Sequence, residues 1–151
     1  MFITEATIDE VAESIGDDNI EEIIEDFSEA QPAILAYIFT EDMELLSESE
    51  REYLLGLVII IWKAIEKQEG EIDEVESKQL EEAEERNWEL LEKTTSKKFR
   101  DRMDVFFKGY PQEDLLAFAE DALVEDEDSP VTSEGREPMM VVLKTIIDVL
   151  T

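Results

Sequence analysis

Two clusters, Glu21-Glu22-x-x-Glu25 and Glu81-Glu82-x-x-Glu85, have the spacing best suited to chemistry in this chain. On a helix, positions three and four apart share a face, so each cluster would stand its carboxylates one turn apart, where oxygen ligands could hold Mg²⁺. Asp101-x-x-Asp104 and Glu41-x-x-Glu44 offer second pairs. Little else competes. The 151 residues contain no His and no Cys. That removes imidazole bases, Ser-His-Asp and Cys-His nucleophiles, thiolates, and the usual zinc, haem and Glu-x-x-His di-iron ligation. Five scattered glycines without Gly-Lys-Ser/Thr exclude a phosphate loop, and Glu125-Asp126-Glu127-Asp128 lacks the spaced ligands and central Gly of an EF-hand.

The carboxylate spacing resembles the EExxE…ExxD pattern of the all-α MazG-like and dUTPase-like nucleotide pyrophosphatases. That resemblance implies a Mg²⁺ role for Glu81, Glu82 and Glu85 with Asp101 and Asp104, or for Glu21, Glu22 and Glu25 with Glu41 and Glu44. Both sets depart from the pattern. The first has Asp for the leading Glu of its second pair, the second ends in Glu rather than Asp, and neither comes with Lys, Arg or Asn placed for phosphates. In a chain this rich in Glu, a charge run is ordinarily a solvated helix face. The reading adopted is therefore no catalytic residue, no metal ligand and no cofactor, with the hydrolase kept as an alternative.

Charge is the stronger signal. Forty-two Asp and Glu stand against 13 Lys and Arg, a formal net charge of −29. Such a field repels phosphates and anionic lipid, so neither direct nucleic-acid binding nor membrane binding is expected. Residues 1–50 carry no Lys or Arg, whereas Lys93, Lys97, Lys98, Arg100, Arg102 and Lys108 fall in one short stretch. Trp88 stands just before them on the most polar predicted helix, and aromatic anchors are enriched in interface hot spots. Trp88, Lys93, Lys97, Lys98, Arg100 and Arg102 form the expected partner surface. The function expected is a non-enzymatic, cytoplasmic protein–protein interaction module. Its partner would be a protein with a basic surface, or a second copy in a homodimer; an acidic DNA mimic is a further alternative. Salt should raise the melting temperature at neutral pH by screening self-repulsion, and mild acidification should relieve it too.

The elements that would position these residues read as helices throughout. The apolar fraction, 43%, is enough for a core, and no period-two alternation or Asn-Gly turn suggests a hairpin. Thr7-x-x-Glu10 reads as a capping box, Asp17 and Asp18 as caps, Pro32 as a first-turn residue, and Ser47 and Ser49 as overlapping cap boxes. The ten-residue apolar run Tyr53–Trp62 is half the ~20 residues of a membrane span and reads as a core helix, 53–67. Leu54, Leu57, Val58, Ile61 and Ile65 are its expected core positions, and Gly56 is read as a point of close helix crossing. Further helices follow over 72–93, from Ser96 to Gly109, over 111–124 and over 136–150. The fold class is thus all-α, about seven helices in one domain, 1–151. The recurrence of Pro-first turns, Ser caps and Arg-Glu pairs suggests two pseudo-repeated three-helix units, 18–67 and 96–150, joined by helix 72–93.

Overall fold

The computed structural model describes residues 1–40, 46–124 and 128–151. Among them are eight α-helices and no strand: α1 Glu5–Ser14, α2 Ile20–Ala30, α3 Pro32–Ile38, α4 Glu48–Glu69, α5 Ser77–Glu92, α6 Phe99–Phe107, α7 Glu113–Ala122 and α8 Ser133–Leu150. The all-α class holds. α4 and α8 are the central pair, and they pack on each other. α1 packs on α4, and α5 packs on α8. Leu54, Leu57, Val58, Ile61 and Ile65 are all buried, facing the buried Val141–Leu143 and Ile146–Ile147 of α8 within one continuous core. Phe27 sets its ring edge-on to Trp62 at 5.2 Å in that core.

Local boundaries differ from the sequence reading where a polar side chain was available nearer the true helix start. α1 begins a turn earlier than Thr7 implies, because the Thr4 hydroxyl accepts the Thr7 N–H. Asn19, rather than Asp17 or Asp18, precedes α2, its amide bonded to Gly16 and Ser14. The stretch 72–93 is not one helix. Residues 70–76 are not helical and α5 starts at Ser77. The cause is Gln31, fully buried ahead of α3, whose amide donates to the Asp73 carbonyl (2.9 Å) and accepts from the Val75 N–H (2.8 Å). Those backbone groups are satisfied by a side chain instead of a helical turn. Gln112, ahead of α7, treats residues 1–3 the same way, donating to the Met1 carbonyl and accepting from Ile3 N–H. Gly70 and Gly109 end α4 and the α6 turn at φ of 89° and 68°, a region that favours glycine.

Gly56 is a correction. A methyl group added there would meet no described residue within 4 Å, so none of the described helices crosses at that point. Gly56→Ala should raise stability by about 0.5–1 kcal/mol, since only the helix-propensity penalty of glycine is removed. Chemical denaturation reads this directly.

The opposite holds where α4 and α8 begin. The Ser47 hydroxyl accepts the Glu50 N–H (3.1 Å), while Glu50 Oε1 accepts the Ser47 N–H (3.0 Å). The second oxygen of the same carboxylate accepts both the N–H and the hydroxyl of Thr132, the residue capping α8, at 3.1 and 3.0 Å. One carboxylate, 1% exposed, thereby fastens two helix starts. Burial pushes the pKa of this carboxyl up, but its hydrogen bonds to Ser47 and Thr132 outweigh that and hold it below the ordinary value. A carboxyl depressed in the folded state contributes stability that is present above its unfolded pKa and lost as pH falls through the folded value. Acidification should therefore destabilise at this joint even while it relieves surface repulsion. A pH titration of the helical signal should show an acid-side loss that shrinks in Glu50→Ala.

Candidate functional site

A concave feature with converging polar groups among the described residues is a groove of about 350 Å³ between α3, α5 and α8. α3 faces it with Ala33, Ala36 and Tyr37, Thr40 follows just past that helix, and α5 contributes Ser77, Leu80, Glu81, Glu84 and Trp88. Pro138 and Val142 of α8, with Leu46, complete the lining. Tyr37 donates its hydroxyl to Glu84 Oε1 at 2.6 Å. Burial first, then the hydrogen bond and charge of Glu84, push the Tyr37 phenol far above its ordinary pKa, so it stays protonated and does not serve as a base. Trp88, 37% exposed, lies at the rim. The lining offers apolar surface, hydroxyls and two carboxylates. No lysine or arginine is among these lining residues.

On the α8 side of α5 lies a buried polar cluster. Lys144, 5% exposed, donates to Asn87 Oδ1 at 2.8 Å and to Asp148 at 3.1 Å. Asn87 donates to Thr145 Oγ1 and Asp148, and the Tyr110 hydroxyl donates to Asp148. The ammonium also sits 4.6 Å from the Tyr110 ring centroid and 5.3 Å from that of Phe106, within cation–π range. Burial and Asp148 push the Tyr110 phenol up as well. This set joins α5, α8 and the end of α6, and none of its members lines the groove.

The expected partner surface is split by the structure. Trp88 lines the groove, but none of the five basic residues does. Arg100 reaches Glu120 and Asp121 of α7 (3.4 and 4.0 Å), and Arg102 pairs with Glu137 of α8 and the Ser96 carbonyl. Lys93, Lys97 and Lys98 are exposed and make no ion pair with a described residue. The Glu120 carboxyl is raised by burial, an effect Arg100 opposes and Asp121 and Asp104 reinforce. None of the ion pairs between described residues joins α6 to the acidic α2.

Glu21, Glu22 and Glu25 are exposed on α2, and Glu81, Glu82 and Glu85 on α5. Among the described residues no three carboxylates converge in a way that could hold a metal ion. Glu41 and Glu44 lie outside the described residues, as does most of the 125–128 run. No helix among the described residues is long and apolar enough to cross a membrane.

Comparisons with protein-family models, with curated proteins and with solved structures gave no match.

Proposed function

We propose that this chain is a non-enzymatic interaction module, acting in the cytoplasm, that receives a basic segment of another protein on its acidic helical surface. The observation that carries this reading is the groove: an open, largely apolar trough edged by Glu81, Glu84 and Trp88 on a chain of net charge −29. Charge of one sign accelerates encounter with the opposite sign and rejects like-charged partners, whereas apolar lining supplies the burial that holds the complex. A homodimer would bring two charges of −29 together, so a basic partner is favoured over a second copy. A DNA-binding protein, whose basic surface ordinarily meets phosphates, falls within the class of partner described.

The architecture supports the same reading. We read the matched Gln31 and Gln112 clamps, and the Ser47 and Thr132 caps, as marks of two four-helix halves, α1–α4 and α5–α8. Counted from those caps, Tyr53 of α4 corresponds to Pro138 of α8. Tyr53 reaches across to the Ala122 carbonyl at 2.8 Å, whereas Pro138 lines the open groove. On this reading the groove is a property of one half and not a necessity of the architecture.

The test is a direct binding measurement with the immobilised chain, using a set of purified basic, neutral and acidic proteins at low and high salt. The reading requires selective retention of basic proteins with release by salt. Salt-independent retention of neutral proteins would refute it, as would hydrolysis of nucleoside triphosphates upon Mg²⁺ addition.

A further inference from the structure

We infer that the α3–α5–α8 groove is a seat for one amphipathic helix of a partner protein, with an apolar ridge along its floor and a Lys or Arg set against Glu84 and Glu81. The inference rests on the reading above and deepens it by naming the docking site and the form of the ligand. Its basis is the periodicity of the walls. α3 presents Ala33, Ala36 and Tyr37, spaced i, i+3, i+4, with Thr40 just past its end. α5 presents Ser77, Leu80, Glu81, Glu84 and Trp88, which continues the same stripe, and α8 adds Pro138 and Val142 at i, i+4. These are the rows by which one helix receives another, so three helices expose to one trough the faces that a further helix would cover.

Dimensions agree. From Ser77 to Trp88 the α5 wall extends about 16 Å at the helical rise of ~1.5 Å per residue, roughly three turns of a docked helix. Ala33, Ala36 and Ser77 keep the walls low, which allows backbones to approach, and Trp88 at one end is a ready aromatic anchor. Charge then selects the occupant. Among the described lining residues Glu81 and Glu84 are the charged ones, and none of those residues is a cation. Glu84 already accepts the Tyr37 hydroxyl, which fixes its carboxylate toward the groove wall and leaves its remaining lone pairs for a charge-assisted bond from an incoming ammonium or guanidinium. An acidic helix would be repelled, including the acidic helices of a second copy.

The probe is a synthetic lysine–leucine peptide of about 15 residues, with Leu at alternating three- and four-residue spacing, the length at which a helix is marginal alone and stabilised by docking. Its association with the whole chain is measured by calorimetry, with sedimentation reporting oligomeric state. Ala36→Phe fills the groove from an exposed position, so the fold should tolerate it. Glu84→Gln removes the charge yet keeps an acceptor for Tyr37. Each should weaken the peptide about tenfold. A triple Glu→Gln change at the exposed Glu21, Glu22 and Glu25 of α2 removes more charge elsewhere and should weaken it less than about threefold. If wild type binds the peptide and both groove variants bind it equally well, the seat is disproved while the acidic-surface reading survives. If wild type does not bind at low salt, both fall. A wild-type dimer that Ala36→Phe dissociates would make a second copy the occupant and overturn the inference.

Discussion

Gly135→Ala should destabilise the fold by about 3 kcal/mol or more, although it replaces a helical glycine with the best helix former. A Cβ at Gly135 would stand 2.0 Å from Glu50 Oε2 and 2.8 Å from its carboxyl carbon. Glu50 cannot yield easily, because its two oxygens hold Ser47 on one side and Thr132 on the other. Displacing it strands two helix caps in a buried place, and each lost bond to a buried charge costs about 1.5–3 kcal/mol. The double variant Glu50→Ala/Gly135→Ala removes the obstacle, so its loss should fall well short of the sum of the two single losses. Thermal and denaturant unfolding of the four proteins measures that coupling. Additive losses would mean that the carboxylate does not fasten the two helix starts. Set beside the gain expected for Gly56→Ala, this makes two helical glycines with opposite signs, decided by what lies beyond the missing Cβ.

The second large effect is expected at Asp148. Asp148→Ala should cost about 2–4 kcal/mol, because it leaves the Lys144 ammonium short of its countercharge in a nearly closed site. Asn87 and the rings of Tyr110 and Phe106 still contact that ammonium, which keeps the loss below that of a fully isolated buried charge. Replacing the set together, as Asn87→Leu/Tyr110→Phe/Lys144→Met/Asp148→Leu so that the Tyr110 hydroxyl is not left without its acceptor, should bring stability back to within about 1 kcal/mol of wild type, since well-packed apolar groups commonly match a buried ion pair. The fold contains a precedent: the same distance beyond its cap, α4 carries the fully buried Ile59 where α8 carries Lys144. Unfolding curves decide the matter. If the combined variant is as weak as Asp148→Ala, the polar cluster stabilises this packing in its own right.

The core helix was legible because nearly every side chain from Tyr53 to Trp62 is apolar and burial is the dominant force on such a segment. Capping residues located most helix starts within a turn. The non-helical stretch before α5 was not legible. Its Ile72 and Val75 continue a helical apolar stripe, and the competing partner, Gln31, lies more than forty residues away in sequence. Gly135, read from sequence as preceding the helix 136–150, sits inside α8 as Gly56 sits inside α4, and a distant carboxylate is what separates the two. The groove escaped notice for a related reason. On α3 the large apolar Ile34 and Ile38 are fully buried, and the residues that line the groove are the less hydrophobic Ala33, Ala36 and Tyr37. Trp88, expected to belong to one partner surface with the basic residues that follow it in sequence, lines the groove without them. A signal for the polar cluster was present: Lys144 and Asp148 stand i, i+4 inside the most apolar stretch of α8, where unpaired charge would not be tolerated.

The most direct test of the account uses the two tryptophans. Trp62 is 4% exposed in the core and Trp88 is 37% exposed at the groove rim, so their indole N–H signals report two separate places. Nitrogen-15 NMR of the labelled chain during titration with the lysine–leucine peptide should move the Trp88 indole signal, together with the amides of Ala36, Glu81 and Glu84. The Trp62 indole and the α2 amides should stay in place. Shifts confined to α2, or distributed evenly over the acidic surface with Trp88 unmoved, would contradict a helix seated between α3, α5 and α8.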